Sequence, residues 1–206
     1  MFAGVVGRTV VATLSALWIG TAMAEPLLIT DATAPPINCV FDASCKITVT
    51  DSVGAIAIPG LSGSAVLQSR TFAGAPGAPA AGLTGYEFRV DLTQASAGAA
   101  KVCVTGVKLS LGPLSRLSYP GGLGPGEVFV ISTGALGTVR LASAERVEGA
   151  ISFAFWSPVC PGADSAKGET SYFFGFAAAK APQAVTAKVR LDNGQVLDVA
   201  ARAPAP

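Results

Sequence analysis

The polar segment 157–171 has the residue types and spacing that best suit ligand recognition. Its charged and hydroxyl side chains lie between two aromatic residues, Trp156 and Tyr172. Aromatic rings stack on the apolar faces of sugars or peptides, and carboxylates accept hydrogen bonds from hydroxyls. The sequence therefore predicts a binding site for a glycan or a protein. Its candidate residues are Trp156, Asp164, Ser165, Lys167, Glu169 and Tyr172.

A second interpretation assigns Trp156 and the aromatic residues that follow the loop to the hydrophobic core. Under it, Trp156, Phe174 and Phe176 are buried and the loop charges are merely solvated. Exposure of the Trp156 ring distinguishes the two interpretations.

Catalytic chemistry is restricted because the chain contains no histidine. This excludes Ser-His-Asp and Cys-His catalysis. Two pairs, Ser44/Lys46 and Ser165/Lys167, could be imagined as serine–lysine dyads. Their i, i+2 spacing is, however, common by chance. Glu87 and Asp91 share one face of a predicted strand, which we expect to be exposed to solvent. We assign no catalytic residue, and a histidine-free hydrolase with a carboxylate pair is the alternative function.

The first 24 residues have the pattern of a cleaved signal peptide. Arg8 precedes an apolar run, 10–19, and Ala22-Met23-Ala24 provides a small-x-small cleavage site. The run is too short to span a bilayer, which takes about 20 apolar residues. We therefore expect a secreted or periplasmic protein without stable membrane insertion.

Four cysteines follow this leader, an even number that is typical of disulfides in an exported chain. We expect Cys39 to pair with Cys45, closing a small loop, and Cys103 to pair with Cys160 across the core. The cysteine spacing does not resemble a zinc site, and we expect no metal and no cofactor.

Short β-branched and aromatic runs, separated by Gly, Pro and Ser, predict an all-β fold: an antiparallel β-sandwich of nine or ten strands, stapled by disulfides. In the clearest strand, Tyr86, Phe88, Val90 and Leu92 alternate with charged residues and should face the core. A slip in alternation predicts a β-bulge at Gly106. Asn193-Gly194 predicts a type I′ hairpin, which would place Leu191 opposite Val196.

The predicted organisation has a signal peptide (1–24), an N-terminal segment with the small cysteine loop (25–44), one β-sandwich domain (45–202) and a disordered tail (203–206). Without Arg8, one of 14 Lys and Arg residues, the 13 basic side chains balance 13 acidic ones. A neutral chain without a basic cluster is an unlikely partner for nucleic acid. We therefore predict a binding, adhesion or structural module whose partner is unknown, a glycan or a protein being the candidates.

Overall fold

The structure is a computed structural model, and it describes residues 24–98, 101–134, 136–163 and 166–206. The predicted signal peptide lies outside these residues except for Ala24. Two candidate binding residues, Asp164 and Ser165, also lie outside them.

Two six-stranded sheets, A and B, form the body of the protein. The strands of sheet A are, in spatial order, β1 (Glu25–Pro26), β10 (Leu141–Val147), β11 (Ala150–Val159), β6 (Val104–Ser110), β13 (Pro182–Leu191) and β14 (Val196–Pro204). Those of sheet B are β2 (Ile29–Ala32), β9 (Val128–Ile131), β12 (Phe173–Ala178), β5 (Thr84–Ser96), β4 (Ser62–Ala73) and β3 (Thr50–Ala55). A ribbon of β7 (Leu117–Ser118) and β8 (Pro125–Gly126) and the helix α1 (Asn38–Phe41) complete the described elements.

The predicted all-β sandwich is confirmed. It contains more strands than predicted, because short strands such as β1 and β2 lack an alternating pattern long enough to see in the sequence. Almost all neighbouring strands are antiparallel, but β2 pairs with β9 in parallel.

The main core lies between the two sheets. Tyr86, Phe88, Val90 and Leu92 of β5 are fully buried in it, as their alternation predicted. Phe153 of sheet A meets β12 there, with its ring centroid 5.1 Å from that of Phe174.

One edge of the sandwich is closed by the chain that follows Ala24. Residues of β1 pair with β10 in sheet A, and after two residues the chain continues as β2 beside β9 in sheet B. The segment 25–32 therefore contributes a strand to each sheet.

The predicted bulge at Gly106 is confirmed. The pairing of β6 with both of its neighbours shifts between Val104 and Gly106. As a result, Val104, Val107 and Leu109 all lie in the main core despite their broken alternation.

The last hairpin differs from the predicted type I′ turn. Only Gly194 has a positive φ, at 85°, whereas a type I′ turn requires two such residues. The NH of Leu191 bonds to Gln195, and Arg190, not Leu191, lies opposite Val196. The hairpin thus has a three-residue loop. In the predicted register, the apolar Val189 would lie opposite the charged Asp198. In the observed register, it lies opposite Leu197.

Both predicted disulfides are present, Cys39–Cys45 and Cys103–Cys160. The second does not cross the core as expected. It joins the chain beside two neighbouring strands of sheet A, because Val104 of β6 pairs with Val159 of β11.

The chain end also differs from the predicted tail at 203–206. Ala203 pairs with Gln183, and Pro204 pairs with Pro182, so β14 extends beyond position 202. Among the described residues, no helix has the length and apolar character needed to cross a membrane.

Candidate functional site

The outer face of sheet B, turned away from the main core, carries a second hydrophobic cluster. Phe72 of β4, Phe129 of β9 and Phe173 of β12 belong to it, each on the face opposite to the main core. This cluster is too apolar to face water, and the segment 33–49 covers part of it.

Phe41 of α1 anchors this covering segment. Its ring lies 4.7 Å from that of Phe72, edge to face, and 6.4 Å from that of Phe129. The main chain of α1 also binds the loop 74–83: the NH groups of Ala75 and Ala80 donate to the carbonyls of Phe41 and Val40. The Cys39–Cys45 disulfide closes the turn that follows α1.

A cavity of about 500 Å³ lies between this covering segment and the face of sheet B. We call it the Glu87 pocket. Its walls are mostly apolar, and its charged groups are one acid and one base. The lining residues are Ala34, Pro35, Ile37, Asn38, Ile47, Val49, Arg70, Glu87, Ile131, Gly134, Leu136 and Phe173. The size and the apolar character with a few polar groups are typical of small-molecule sites.

Glu87 is only 3% exposed. Burial raises the pKa of its carboxyl to about 7, against the opposing effect of Arg70, while the nearby charge of Asp51 adds to the increase. Its nearest cationic atom is Nη1 of Arg70, 3.7 Å from Oε2, which is too long for a hydrogen bond. Within the described residues, no group donates a hydrogen bond to this carboxylate.

Arg70 is held in place by groups on two other strands. Its Nε donates to Oδ1 of Asp51 on β3 at 3.0 Å. Its guanidinium carbon lies 4.9 Å from the centroid of the Phe173 ring on β12. Arg89 lies on the same ring at 4.6 Å, and its Nη2 is 3.3 Å from Oδ2 of Asp91. The guanidinium groups are thus oriented by carboxylates and by the same aromatic ring.

The sequence did not identify this site. Alternation correctly placed Glu87 opposite to Tyr86 and Phe88, but the inference that Glu87 faces solvent was wrong. The face is covered by a segment about 40 residues earlier in the chain, and no local pattern reports such a contact.

The predicted loop site is partly assembled. Trp156 of β11 is 81% exposed, so the interpretation as a core residue is wrong for Trp156, although Phe174 and Phe176 are buried. The main-chain NH of Trp156 donates to the carbonyl of Arg140, while the main-chain NH of Tyr172 donates to the carbonyl of the adjacent Val139. Both aromatic residues therefore flank one short segment. A shallow cavity of about 390 Å³ is lined by Arg140, Leu141 and Trp156.

The other described residues of that loop have different environments. Lys167 is exposed to solvent. The Glu169 carboxylate accepts a hydrogen bond from the NH of Cys160 at 2.9 Å, and the Glu169 NH donates to the Cys160 carbonyl at 2.8 Å. Glu169 therefore closes the base of the loop. Tyr172 is half-buried against the main core.

Ser44 is hydrogen-bonded to an acid and not to Lys46. The Ser44 hydroxyl donates to Oδ1 of Asp42 at 2.5 Å, which directs it to a carboxylate rather than to Lys46. In the described ranges, no group of three or more Cys, Asp or Glu side chains is arranged to hold a metal ion.

No protein-family model, curated protein or solved structure matches this chain.

Proposed function

We propose that this protein is an exported binding module that holds a small amphipathic ligand in the Glu87 pocket. The observation that carries the proposal is the Glu87 carboxylate, which is almost fully buried, lines an apolar pocket and accepts no hydrogen bond from a described residue. Hydrogen bonds from a charged donor to a carboxylate are among the strongest in proteins, so a ligand donor that reaches Glu87 from the pocket would bind it favourably.

The two disulfides support an extracytoplasmic compartment. Cys39–Cys45 and Cys103–Cys160 use all four cysteines of the chain, which suits an oxidising, extracytoplasmic environment. The predicted leader supports export, and periplasm and extracellular space fit equally well.

Binding fits the charged groups better than hydrolysis by a carboxylate pair. Such a mechanism requires the substrate to lie between two acids. Here Arg70 contacts both Asp51, at 3.0 Å, and Glu87, at 3.7 Å, and therefore occupies the space between them. The same arrangement suits a ligand head group that contacts both Arg70 and Glu87.

The Trp156 surface is a second candidate, supported by the exposure of its ring. An indole that is 81% exposed beside Arg140 and Leu141 can stack on a sugar or an apolar peptide side chain. We propose it as a glycan or protein contact that includes Tyr172, with Asp164, Ser165, Lys167 and Glu169 on the neighbouring loop. Glycan-array binding that is lost in Trp156→Ala supports this proposal, and binding that is unchanged in Trp156→Ala overturns it.

The Glu87 pocket is tested with an apolar fluorescent probe, N-phenyl-1-naphthylamine. We expect saturable binding to the purified protein at one site. Leu136→Trp, which fills the pocket, should weaken this binding at least tenfold. Val196→Trp is the matched control, because Val196 is an exposed position on sheet A, far from the pocket lining. Absence of a saturable site, or equal effects of the two variants, overturns the proposal.

A further inference from the structure

The Glu87 pocket carries an acid and a base side by side beneath an apolar wall. We propose that its ligand is a free hydrophobic α-amino acid, with the ammonium group on Glu87 and the carboxylate on Arg70. This inference rests on the proposed function, because it names the ligand class of the same pocket.

The acidic half of the site lacks a donor. The Glu87 carboxylate is 3.7 Å from the nearest Arg70 nitrogen and accepts no hydrogen bond from the described part of the chain. A buried carboxylate is stabilised most by a donor that also carries positive charge. A primary ammonium offers up to three such donors and can approach Glu87 from the pocket.

The basic half of the site has unused donors. A guanidinium has five N–H groups, and in Arg70 only Nε forms a hydrogen bond with a described residue, Asp51. The terminal nitrogens therefore can bind a carboxylate, which matches the planar fork of arginine. Asp51 is itself held by Gln68, whose Nε2 donates to the same Oδ1 at 2.8 Å, so the guanidinium is positioned before a ligand arrives.

The spacing of the two halves suits groups attached to one carbon atom. In an α-amino acid, the ammonium nitrogen and the carboxyl carbon are about 2.5 Å apart. Arg70 and Glu87 oppose each other on adjacent strands, with charged atoms 3.7 Å apart. A ligand with one charge would meet an unfavourable like charge beside its partner, whereas a zwitterion pairs both charges.

The remainder of the pocket selects the ligand side chain. Ile37, Ile47 and Leu136 contribute aliphatic surface opposite to the charged floor, and the Phe173 ring contributes an aromatic one. Such walls stabilise an apolar side chain by about 25 cal/mol for each Å² removed from water, and they disfavour a charged one. Leucine and phenylalanine therefore fit the pocket, whereas lysine and aspartate do not.

Calorimetric titration with four matched ligands tests the assignment. L-leucine carries both charges, isoamylamine lacks the carboxylate, 4-methylpentanoate lacks the ammonium and L-lysine replaces the apolar side chain. At pH 8, where Glu87 is ionised and the charges of Arg70 and Asp51 act on it, we expect L-leucine to bind at least tenfold more tightly than each of the others. Glu87→Gln and Arg70→Gln should each weaken binding of L-leucine at least tenfold. Asp198→Asn and Lys188→Gln remove exposed charges on sheet A and should leave it unchanged.

The outcomes separate this inference from the proposed function. If isoamylamine or 4-methylpentanoate binds as tightly as L-leucine, the zwitterion assignment is overturned. If no amino acid binds while N-phenyl-1-naphthylamine still occupies the pocket, the inference fails and the proposed function stands. If neither binds, both fail. Because the ligand series uses the unaltered protein, these outcomes do not depend on the folding of any variant.

Discussion

Arg70 and Glu87 are directly opposed on β4 and β5, and yet their charged atoms are 3.7 Å apart rather than at hydrogen-bond distance. The arginine is drawn toward Asp51 on β3, with which it forms the shorter contact of 3.0 Å. Burial of Glu87 therefore outweighs its attraction to Arg70, and the pKa of the carboxyl is raised. At this distance the Glu87 carboxylate accepts no hydrogen bond from Arg70.

The raised pKa of Glu87 predicts how stability depends on pH. Because the folded protein holds this proton more tightly than the unfolded chain, it binds more protons between the ordinary pKa of 4.5 and about 7. The contribution of Glu87 to the free energy of unfolding should therefore fall as the pH rises through this window, by on the order of 3 kcal/mol. Urea unfolding of the wild type and Glu87→Gln, at pH values from 4 to 8, measures this contribution as the difference between the two proteins.

The charged neighbours of Glu87 do not change the sign of this effect. Arg70 lowers the pKa, Asp51 raises it, and desolvation is the largest influence. Asp198→Asn is the matched control, because Asp198 is 63% exposed in sheet A and pairs with Lys188. A difference between wild type and Glu87→Gln that does not vary with pH would contradict the assignment.

The two disulfides should have different effects when removed. Cys39–Cys45 spans six residues, and the loop-entropy model gives it about 2 kcal/mol, whereas Cys103–Cys160 spans 57 residues and receives about 4 kcal/mol. Replacing the first pair by serine should release the segment that covers the pocket. We expect at least a tenfold loss of N-phenyl-1-naphthylamine binding. The free energy of unfolding, measured in urea, should fall by about 2 kcal/mol.

Replacing Cys103 and Cys160 by serine should have the opposite effects on stability and on probe binding. This variant should lose more stability, but its folded fraction should keep the pocket, because the cysteines lie beside sheet A and neither lines the pocket. Equal loss of probe binding in both double variants would show that the small disulfide does not position the pocket wall.

The limits of prediction are illustrated by two neighbouring residues, Phe88 and Glu87. Burial of Phe88 follows from strand alternation, a local property of the sequence. Burial of Glu87 requires knowing that the segment 33–49 packs over this face of sheet B, with Phe41 against Phe72. The main core and the disulfides could therefore be predicted from the sequence, whereas the pocket, formed by contacts between distant segments, could not.

The hairpin at Gly194 shows the same limit at a smaller scale. The dipeptide Asn193-Gly194 correctly located the turn, but the register depends on which residues adopt a positive φ. Because Gly194 has φ of 85°, we expect Gly194→Ala to reduce the free energy of unfolding by about 1 kcal/mol. Gly124→Ala is the control, since a Cβ there meets open space and φ is not in the left-handed region. Equal stabilities of the two variants in urea would contradict this register.

Trp156 provides a direct comparison between an exposed and a buried aromatic residue of the same strand. Its ring is 81% exposed, whereas Phe153, three residues earlier on β11, is fully buried between the sheets. Trp156→Ala should therefore change the free energy of unfolding by no more than about 0.5 kcal/mol, while Phe153→Ala should cost about 3–5 kcal/mol. Urea unfolding monitored by circular dichroism compares the variants without using the tryptophan signal.

The other tryptophan, Trp18, lies in the predicted leader, so fluorescence of the mature protein reports on Trp156 alone. We expect this fluorescence to be strongly quenched by iodide, and a quenching-resistant signal or a destabilised Trp156→Ala variant would place the ring in the core and remove the second binding surface.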